Sequence, residues 1–286
     1  MRIFGKEIRE IPICATEYPD ELRSFIDAPE KLYAVGDISL LGKRKFAVVG
    51  SRRTPANALR LGAEIVKELS NAFVIVTGTA DGGDLSAVEG ALKGSGRVIC
   101  VLAGGFGHLP QANLGVLEDV ANRGLLLSAC EYDTGVRAFS YEYRNKLIAC
   151  LSEGALVLGA GEKSGALITA KHAKAMQKKM FALPYAPNSS AGVGCNAIIK
   201  NGGYLTESAK DVFDAFGIEA SETKKAVSLS ADEEKMLEAV KELCEGHIAE
   251  LSQKSGLPSF KARAVLSALE VKGLVASVGG NRYAVV

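Results

Sequence analysis

Two arginines directly follow a glycine at the end of an apolar run, and this is where the sequence points most clearly to chemistry. Residues 46–55 read FAVVGSRRTP, an apolar strand that runs into Gly50 and then Ser51, Arg52 and Arg53. A turn between a strand and a helix offers backbone N–H groups to an anion. Two fixed positive charges beside such a turn indicate an anion that is large or carries several charges.

A second set of polar groups lies at 139–152, FSYEYRNKLIACLS, where aromatic residues precede cationic ones. Its candidate binding residues are Tyr141, Arg144, Asn145 and Lys146. Aromatic rings beside cations suit single-stranded nucleic acid, because bases stack on the rings and phosphates pair with the cations. An alternative stays open, in which one or two aromatics belong to the core and Arg144 pairs with an acid such as Glu142 or Glu131.

A third turn, GAGEKSGA at 159–166, resembles a Walker A loop, but Glu162 stands where that loop requires glycine. A nucleoside triphosphatase is therefore not expected. The turn still follows a strand and opens a helix, so Ser164 and the N–H groups near Gly165 are candidates for phosphate binding. The alternative is an ordinary turn in which Ser164 only caps the helix.

Cofactor and metal chemistry find little support in the sequence. The turn at Gly50 lacks the G-x-G-x-x-G spacing that brings a backbone against a dinucleotide pyrophosphate. The 6 cysteines and 3 histidines are scattered, and no C-x-x-C pair occurs. We predict a protein without a cofactor, a metal site or a disulfide framework.

The elements that must position these residues alternate between short apolar runs and helical patterns. The runs are KFAVVG, FVIVTG, RVICVLAGG, LLLSA, GALVLGA and KMFALP. Near-continuous apolar runs are typical of strands that are buried on both faces. We therefore predict a Rossmann-like α/β fold with a doubly wound, mostly parallel sheet. Ligands of such sheets bind beyond the carboxyl ends of the strands, where all of these turns lie.

The chain divides into four predicted parts. A lead-in at 1–44 packs on the sheet domain, which spans 45–217, and a polar linker follows at 218–230. The tail at 231–286 shows a helix, a helix–turn–helix and a hairpin around two glycines, which together predict a winged-helix domain. This tail carries seven basic and eight acidic residues, so it is poorly suited to duplex DNA and favours protein contact or weak DNA contact.

Composition sets the cellular context. The 286 residues carry a formal net charge of +1, which argues against a protein that coats duplex DNA and leaves room for a local binding groove. No apolar run approaches the roughly 20 residues that span a bilayer, and the first residues, MRIFGKEIRE, mix charged and apolar residues and lack the apolar segment expected of a signal peptide. We predict a cytoplasmic protein with no membrane partner.

Several motifs together resemble the DprA/Smf family of DNA-processing proteins. They are VGSRR, TGTADGGD, RNKLIACLS, KSGALITA and GCNAIIKNGG, in the order and roughly the spacing of that family. The lead-in YPDELRSFIDAPEKLYAVGD and the winged-helix tail also resemble it, so that the resemblance covers nearly the whole chain. No single motif is specific, but the ensemble is.

The resemblance implies a non-enzymatic protein that binds single-stranded DNA without sequence preference, dimerises, and loads the recombinase RecA on DNA during natural transformation. By position, Gly50, Ser51 and Arg52 would form a phosphate cradle. Arg144, Asn145 and Lys146 would form a second basic wall. The remaining implied contacts are Tyr141 at the stacking position, Ser164 and Gly165 in the conserved turn of the family, and Asn196 in its G-C-N segment.

The sequence departs from the family pattern at four positions. Asp81 replaces an arginine, Glu142 a proline, Lys146 an arginine and Val88 a histidine. Two of these changes make the predicted groove more acidic. We therefore expect DNA binding that is weaker or more salt-sensitive than is usual in the family, partly offset by Arg53 and Arg137, which we add to the candidate site.

Two other classes of function remain possible from sequence. The first is a nucleotide-processing enzyme akin to the cytokinin-activating phosphoribohydrolases, whose glutamate-bearing P-G-G-x-G-T-x-x-E loop has no counterpart in GAGEKSGALITA. The second is a ligand-sensing transcription factor, against which the near-neutral tail argues. Release of adenine from AMP would indicate the first, and a preference for duplex DNA would indicate the second.

Overall fold

The computed structural model describes residues 1–219 and 229–285, which divide into two units after Ala220. The first unit contains the candidate binding residues. The linker predicted at 218–230 lies for the most part outside the described residues. Each unit has a hydrophobic core of its own.

The first unit is built on a nine-stranded sheet preceded by a two-stranded hairpin. Its strands are β1 (Arg2–Ile3), β2 (Lys6–Glu7), β3 (Arg9–Pro12), β4 (Lys31–Gly36), β5 (Lys45–Val49), β6 (Val74–Thr77), β7 (Val98–Val101), β8 (Leu125–Ser128), β9 (Gly154–Val157), β10 (Lys179–Ala182) and β11 (Tyr204–Leu205). Its helices are α1 (Asp20–Arg23), α2 (Ala56–Leu69), α3 (Gly83–Lys93), α4 (Leu114–Arg123), α5 (Ala138–Leu151), α6 (Ala166–Ala175), α7 (Val193–Lys200) and α8 (Ala209–Phe216). All six predicted apolar runs are strands, which confirms the predicted fold class.

The strand order is β11-β10-β9-β5-β6-β7-β8-β4-β3, and all pairs from β11 to β8 are parallel. The last two strands, β4 and β3, are antiparallel and come from the lead-in. The lead-in therefore enters the sheet, where the sequence predicts only packing against it. Tyr33 pairs with Ser128 in this ladder, so the lead-in covers the edge of the otherwise exposed strand β8.

The central strands contribute to two cores, one on each face of the sheet. Phe46 belongs to the core beneath α2, α3, α4 and α8, and its neighbour Ala47 belongs to the core beneath α5, α6 and α7. All five residues of β5 are buried. Successive side chains point to opposite faces, so a strand covered on both sides reads as continuously apolar.

The chain reverses direction across the sheet at β5. From β5 it winds outward through β6, β7 and β8, and it then returns to place β9 on the other side of β5. The loops that leave β5 and β9 therefore diverge to helices on opposite faces. Such a switch point leaves a crevice beyond the carboxyl ends of the strands.

The second unit contains three helices and a small antiparallel sheet. The elements are α9 (Ala231–Leu243), β12 (Glu245–His247), α10 (Ile248–Ser255), α11 (Ser259–Val271), β13 (Val275–Gly279) and β14 (Arg282–Val285), with strand order β12-β14-β13. Its core packs Met236, Val240, Leu251 and Leu266 together. This order of elements is that of a winged helix, and the assignment stays a prediction.

Helix α9 begins with a capping box that fixes an acidic side chain. The Ser230 N–H donates to Glu233 at 2.7 Å, and the Lys272 ammonium lies 2.6 Å from the same carboxylate. Together these contacts lower the pKa of Glu233 from 4.5 to about 2, and the contact with Lys272 has the largest effect.

Because the folded form holds Glu233 ionised, the stability that it contributes is complete above about pH 4.5 and is lost as the pH falls towards 2. We expect Glu233→Gln to remove this acid dependence from the second unit. The change of thermal unfolding with pH, followed through the methyl NMR signals of Val240, measures this acid dependence. Glu234→Gln is the matched control, because Glu234 is an exposed neighbour. Equal acid sensitivity in the two variants would contradict the prediction.

Two further features bear on function. Over residues 1–219 and 229–285, no helix is both long and apolar enough to cross a membrane. Within the same residues, no group of three or more His, Cys, Asp or Glu side chains is arranged to hold a metal ion.

Candidate functional site

A cleft of about 640 Å3 lies at the switch point, and we call it the switch-point cleft. Its walls are the turn after β5, the turn after β9 and the first half of α5. Nine of the twelve predicted binding residues line it, namely Gly50, Ser51, Arg52, Arg53, Tyr141, Arg144, Asn145, Ser164 and Gly165. The sheet therefore brings together three segments that are far apart in the chain.

The turn after β5 is held by one hydrogen bond to the turn after β9 and by one within itself. The Ser51 N–H donates to the Gly159 carbonyl at 2.8 Å, and the Arg53 N–H donates to the Ser51 hydroxyl at 3.1 Å. The Ser51 N–H is therefore engaged within the protein, and the phosphate cradle at Gly50, Ser51 and Arg52 stays a prediction. What the turn offers instead is charge, because the Arg52 and Arg53 side chains are exposed and form no ion pair within the described part of the chain.

The turns after β5 and β6 touch through their backbones. A Cβ on Gly83 would lie 2.2 Å from the Gly50 Cα, so only glycine fits where α3 begins. Gly82, directly before it, has φ +84, a left-handed value that favours glycine. The TGTADGGD segment thus serves to bring α3, with Asp84 in its first turn, against the cleft.

Asp84 and Arg144 form a buried ion pair at the bottom of the cleft. Arg144 Nη1 lies 3.4 Å from Asp84 Oδ2, and the two side chains are 7% and 6% exposed. The guanidinium crosses directly over Gly78, where a Cβ would lie 1.4 Å from Nη1. Burial raises the pKa of Asp84, and Arg144 and the N–H groups of Ala80 and Gly50 oppose that shift.

This pairing corrects the expectation that Arg144 is part of an open basic wall. The alternative considered from sequence, in which Arg144 pairs with an acid, describes the structure better, although the partner is Asp84 and neither Glu142 nor Glu131. The Arg144 Nε atom is buried without a hydrogen-bond partner among the described residues. Arg144 therefore supports the cleft from beneath.

The helical repeat of α5 decides which of its residues face the cleft. Tyr141, Arg144 and Asn145 are three and four positions apart, so they share one face of the helix. Lys146 is turned away by a further 100° or so and lies 3.4 Å from Asp27. The structure therefore does not bring Lys146 to the cleft, contrary to the expectation that it shares a groove with Arg52.

The aromatic residues of this segment divide between solvent and core. Phe139 is 65% exposed and Tyr141 is 43% exposed. Tyr143 instead packs against the core and donates its hydroxyl to the Asp27 carbonyl at 3.0 Å. Tyr141 is thus the aromatic ring presented to the cleft.

The turn after β9 adds polar groups on the opposite side. The Ser164 hydroxyl accepts the Ala166 N–H at 3.3 Å, so Ser164 acts as a local cap while lining the cleft. Asn145 donates to the Gly165 carbonyl at 3.4 Å and ties α5 to this turn. Lys163 is exposed and also lines the cleft, but it is not among the site residues predicted from sequence. Its position next to Ser164, a predicted phosphate-binding residue, could have identified it.

Besides Lys146, two further predicted residues lie outside the switch-point cleft. Arg137 is exposed directly before α5, and its N–H donates to the Ser140 hydroxyl at 3.1 Å. The side-chain amide of Asn196 makes two hydrogen bonds to the backbone of Tyr185. Its oxygen accepts the Tyr185 N–H at 3.0 Å, and its nitrogen donates to the Tyr185 carbonyl at 2.9 Å. Asn196 therefore fixes the loop after β10.

The cleft carries an excess of positive charge. Its charged lining residues are Arg52, Arg53, Arg144, Lys163, Asp84 and Glu162. Since Arg144 and Asp84 compensate each other, three exposed cations face one exposed carboxylate. This arrangement suits an anion with more than one charge.

A second cleft of about 260 Å3 adjoins the first, and we call it the adjoining cleft. Arg52, Ala80 and Tyr141 line both cavities and so form the boundary between them. Asp81 lines the adjoining cleft. Glu142 lines neither cleft, so only one of the two acidic departures lies where an anion would be affected.

Comparisons with known proteins agree on one family. The family model described as DNA recombination-mediator protein A matches residues 10–217, and the second unit lies outside that match. DNA processing protein DprA of Bacillus subtilis is 37% identical over 210 residues, covering 72% of this chain and 71% of the relative. The DprA of Streptococcus pneumoniae is 34% identical over 218 residues, covering 74% and 77%.

Solved structures give the same result. The crystal structure of DprA from Streptococcus pneumoniae superposes with a TM-score of 0.70 at 32% identity, covering 73% of this chain and 74% of that one. DNA processing protein A from Helicobacter pylori, for which a single-stranded DNA binding mode has been described, superposes with a TM-score of 0.67 at 29% identity, covering 75% and 98%.

Proposed function

From the premise that this chain belongs to the DprA/Smf family, we propose that it binds single-stranded DNA in the switch-point cleft without requiring a particular sequence. We further propose that it acts as a recombination mediator, a homodimer that loads RecA on incoming DNA during natural transformation. The convergence of Arg52 and Tyr141 on one cleft is the observation that carries the binding proposal.

The chemistry of that cleft matches an unpaired strand. Arg52, Arg53 and Lys163 supply exposed positive charge for successive phosphates, and Tyr141 supplies an aromatic ring in the same cleft. Stacking on an aromatic side chain contributes about 1–3 kcal/mol per base and tolerates any base. The strand binding described for the Helicobacter pylori relative supports the same assignment.

A binding role is favoured over catalysis by the state of the carboxylates in the cleft. Asp84 is buried and paired with Arg144, so it is poorly placed to exchange protons with a substrate. Glu162 precedes α6, whereas the phosphoribohydrolase motif requires its glutamate on the helix that follows the loop. The nucleotide-processing alternative therefore gains no support from the arrangement of these groups.

The second unit is proposed to contact protein more than duplex DNA. Three of its lysines are engaged with its own acids: Lys261 with Asp232, Lys272 with Glu233 and Lys254 with Glu242, each at 2.6 Å. A surface that binds phosphates needs cations free to release their counterions. This charge balance also disfavours the ligand-sensing transcription factor.

Fluorescence anisotropy of labelled oligo(dT) tests the binding proposal, with unlabelled single-stranded and duplex DNA as competitors. We expect the single strand to compete more strongly than duplex of the same length, and the affinity to fall as salt rises. Equal or better competition by duplex would contradict the proposal.

Two further experiments test the rest of the proposal. RecA filament formation on the same strand, with and without the protein, tests the mediator role. Incubation with AMP tests for nucleotide processing, and we expect it to release no adenine.

A further inference from the structure

The adjoining cleft differs in chemistry from the switch-point cleft, although the two share a boundary. Its walls include apolar side chains from the loops after β7 and before α5, namely Leu102, Leu109, Pro110 and Val136. Its cavity of about 260 Å3 lies just below the size that accommodates a drug-sized ligand. A cavity of this size, in which these apolar side chains lie beside the polar groups of Asp81, His108 and Asn113, fits a single planar ring better than a stretch of sugar–phosphate backbone.

A carboxylate is held at the edge of this cavity. The Asn113 amide donates to Asp81 Oδ1 at 3.2 Å and to the Thr79 carbonyl at 3.1 Å, so Asp81 is oriented by a largely buried neighbour. Asp81 is exposed and forms no ion pair within the described residues. An ionised carboxylate accepts hydrogen bonds and donates none, so it repels a phosphate and attracts an amino group.

The shared boundary would allow one strand to reach both cavities. Arg52 and Tyr141 face both clefts, so a phosphate paired with Arg52 lies within one nucleotide of the adjoining cleft. If the phosphates of a bound strand stay on the side where Arg53 and Lys163 lie, the attached base is directed to the side of Asp81. The charges would thus orient the strand across the boundary.

We propose, building on the proposed single-stranded DNA binding, that the adjoining cleft is a nucleobase subsite in which Asp81 favours cytosine over thymine. The two pyrimidines have nearly the same shape, but cytosine presents an N4 amino donor where thymine presents the O4 acceptor. A carboxylate accepts a hydrogen bond from the first and is repelled by the second. The subsite adds a bias at one position of an otherwise sequence-independent contact.

The experiment compares the affinities of labelled oligo(dT) and of the same strand with alternate dC residues, at pH 7.5, by fluorescence anisotropy. We expect the wild-type protein to bind the dC-containing strand about fivefold more tightly, the lower end of what a polar contact to a base edge contributes. Asp81→Asn is expected to bring this ratio close to one, because an amide donates as well as accepts. Its affinity for oligo(dT) should be equal or higher, since a negative charge is removed.

Asp119→Asn provides the matched control, because Asp119 is an exposed acid on α4 that lines neither cleft. This variant should keep the wild-type ratio. A wild-type ratio of one, or a ratio that Asp81→Asn leaves unchanged, would overturn the subsite while strand binding stands. Failure to bind either strand would instead overturn the proposed function, on which the subsite depends.

Discussion

Replacement of Arg52 by alanine is expected to weaken the binding of single-stranded oligo(dT) by about tenfold at low salt, the lower end of what a charge-assisted hydrogen bond contributes. Arg52 is exposed, lies on the boundary of both clefts and forms no ion pair within the described residues, so its full charge is available to a phosphate. Anisotropy titrations at several salt concentrations measure both the affinity and its salt dependence.

The salt dependence separates a phosphate contact from a general loss of structure. Loss of one phosphate contact to a single strand should reduce the slope of log affinity against log salt by about 0.7. Arg60→Ala is the matched control, since Arg60 is an exposed arginine on α2 that lines neither cleft. If the Arg52 and Arg60 variants bind alike, Arg52 does not contact the strand.

Arg52→Lys refines the interpretation, because lysine keeps the charge and loses the bidentate geometry of guanidinium. We expect the lysine variant to keep the salt slope of the wild type and to recover most of its affinity. Such a result would identify Arg52 as a source of charge, in keeping with a binding mode that reads no sequence.

The fold was predictable because each strand is encoded by a short run of residues that are adjacent in the sequence. Each strand from β5 to β10 is a short, mostly apolar run bounded by turn residues, and such runs, KFAVV and VICV among them, are typical of strands that are buried on both faces. The lead-in was less predictable. Whether KLYAVG packs over a sheet or pairs along its edge depends on β8, which lies about ninety residues later in the chain, and no local pattern encodes that partner.

The candidate site was predictable in outline and not in its contacts. The convergence of the turns after β5 and β9 follows from sheet topology alone, since parallel strands bring their carboxyl ends to one edge. The difference between Arg144 and Lys146 also lies in the sequence, because a helix that turns Tyr141 to the cleft must turn Lys146 away. What the sequence cannot show is that Asp84, sixty residues distant, occupies the space beneath Arg144.

Burial of the Asp84–Arg144 pair links the stability of the unit to the shape of the cleft. Both residues line the switch-point cleft, and the guanidinium fills the space that Gly78 leaves open. The pair joins α3 to α5 across the ends of β5 and β6. A change at either residue should therefore affect the framework that positions Arg52 and Tyr141 as well as the local charge.

Asp84→Ala is accordingly expected to lower the free energy of unfolding of the first unit by about 3–5 kcal/mol, because it leaves the Arg144 guanidinium buried without a counter-charge. Arg144 Nε already lacks a hydrogen-bond partner among the described residues, so the arginine has little local compensation. Hydrogen exchange of β5 and β6 amides at increasing urea concentration measures this change in the first unit alone.

Two comparisons make the Asp84→Ala result specific to a buried pair. Asp214→Ala breaks an exposed pair with Lys210 on α8 and should cost less than about 1 kcal/mol. Replacing both buried partners, Asp84→Leu with Arg144→Met, should recover most of the loss, since two apolar side chains leave no unpaired charge. If Asp84→Ala costs no more than Asp214→Ala, or if the double variant is no more stable than the single one, the buried pair does not stabilise the cleft in this way.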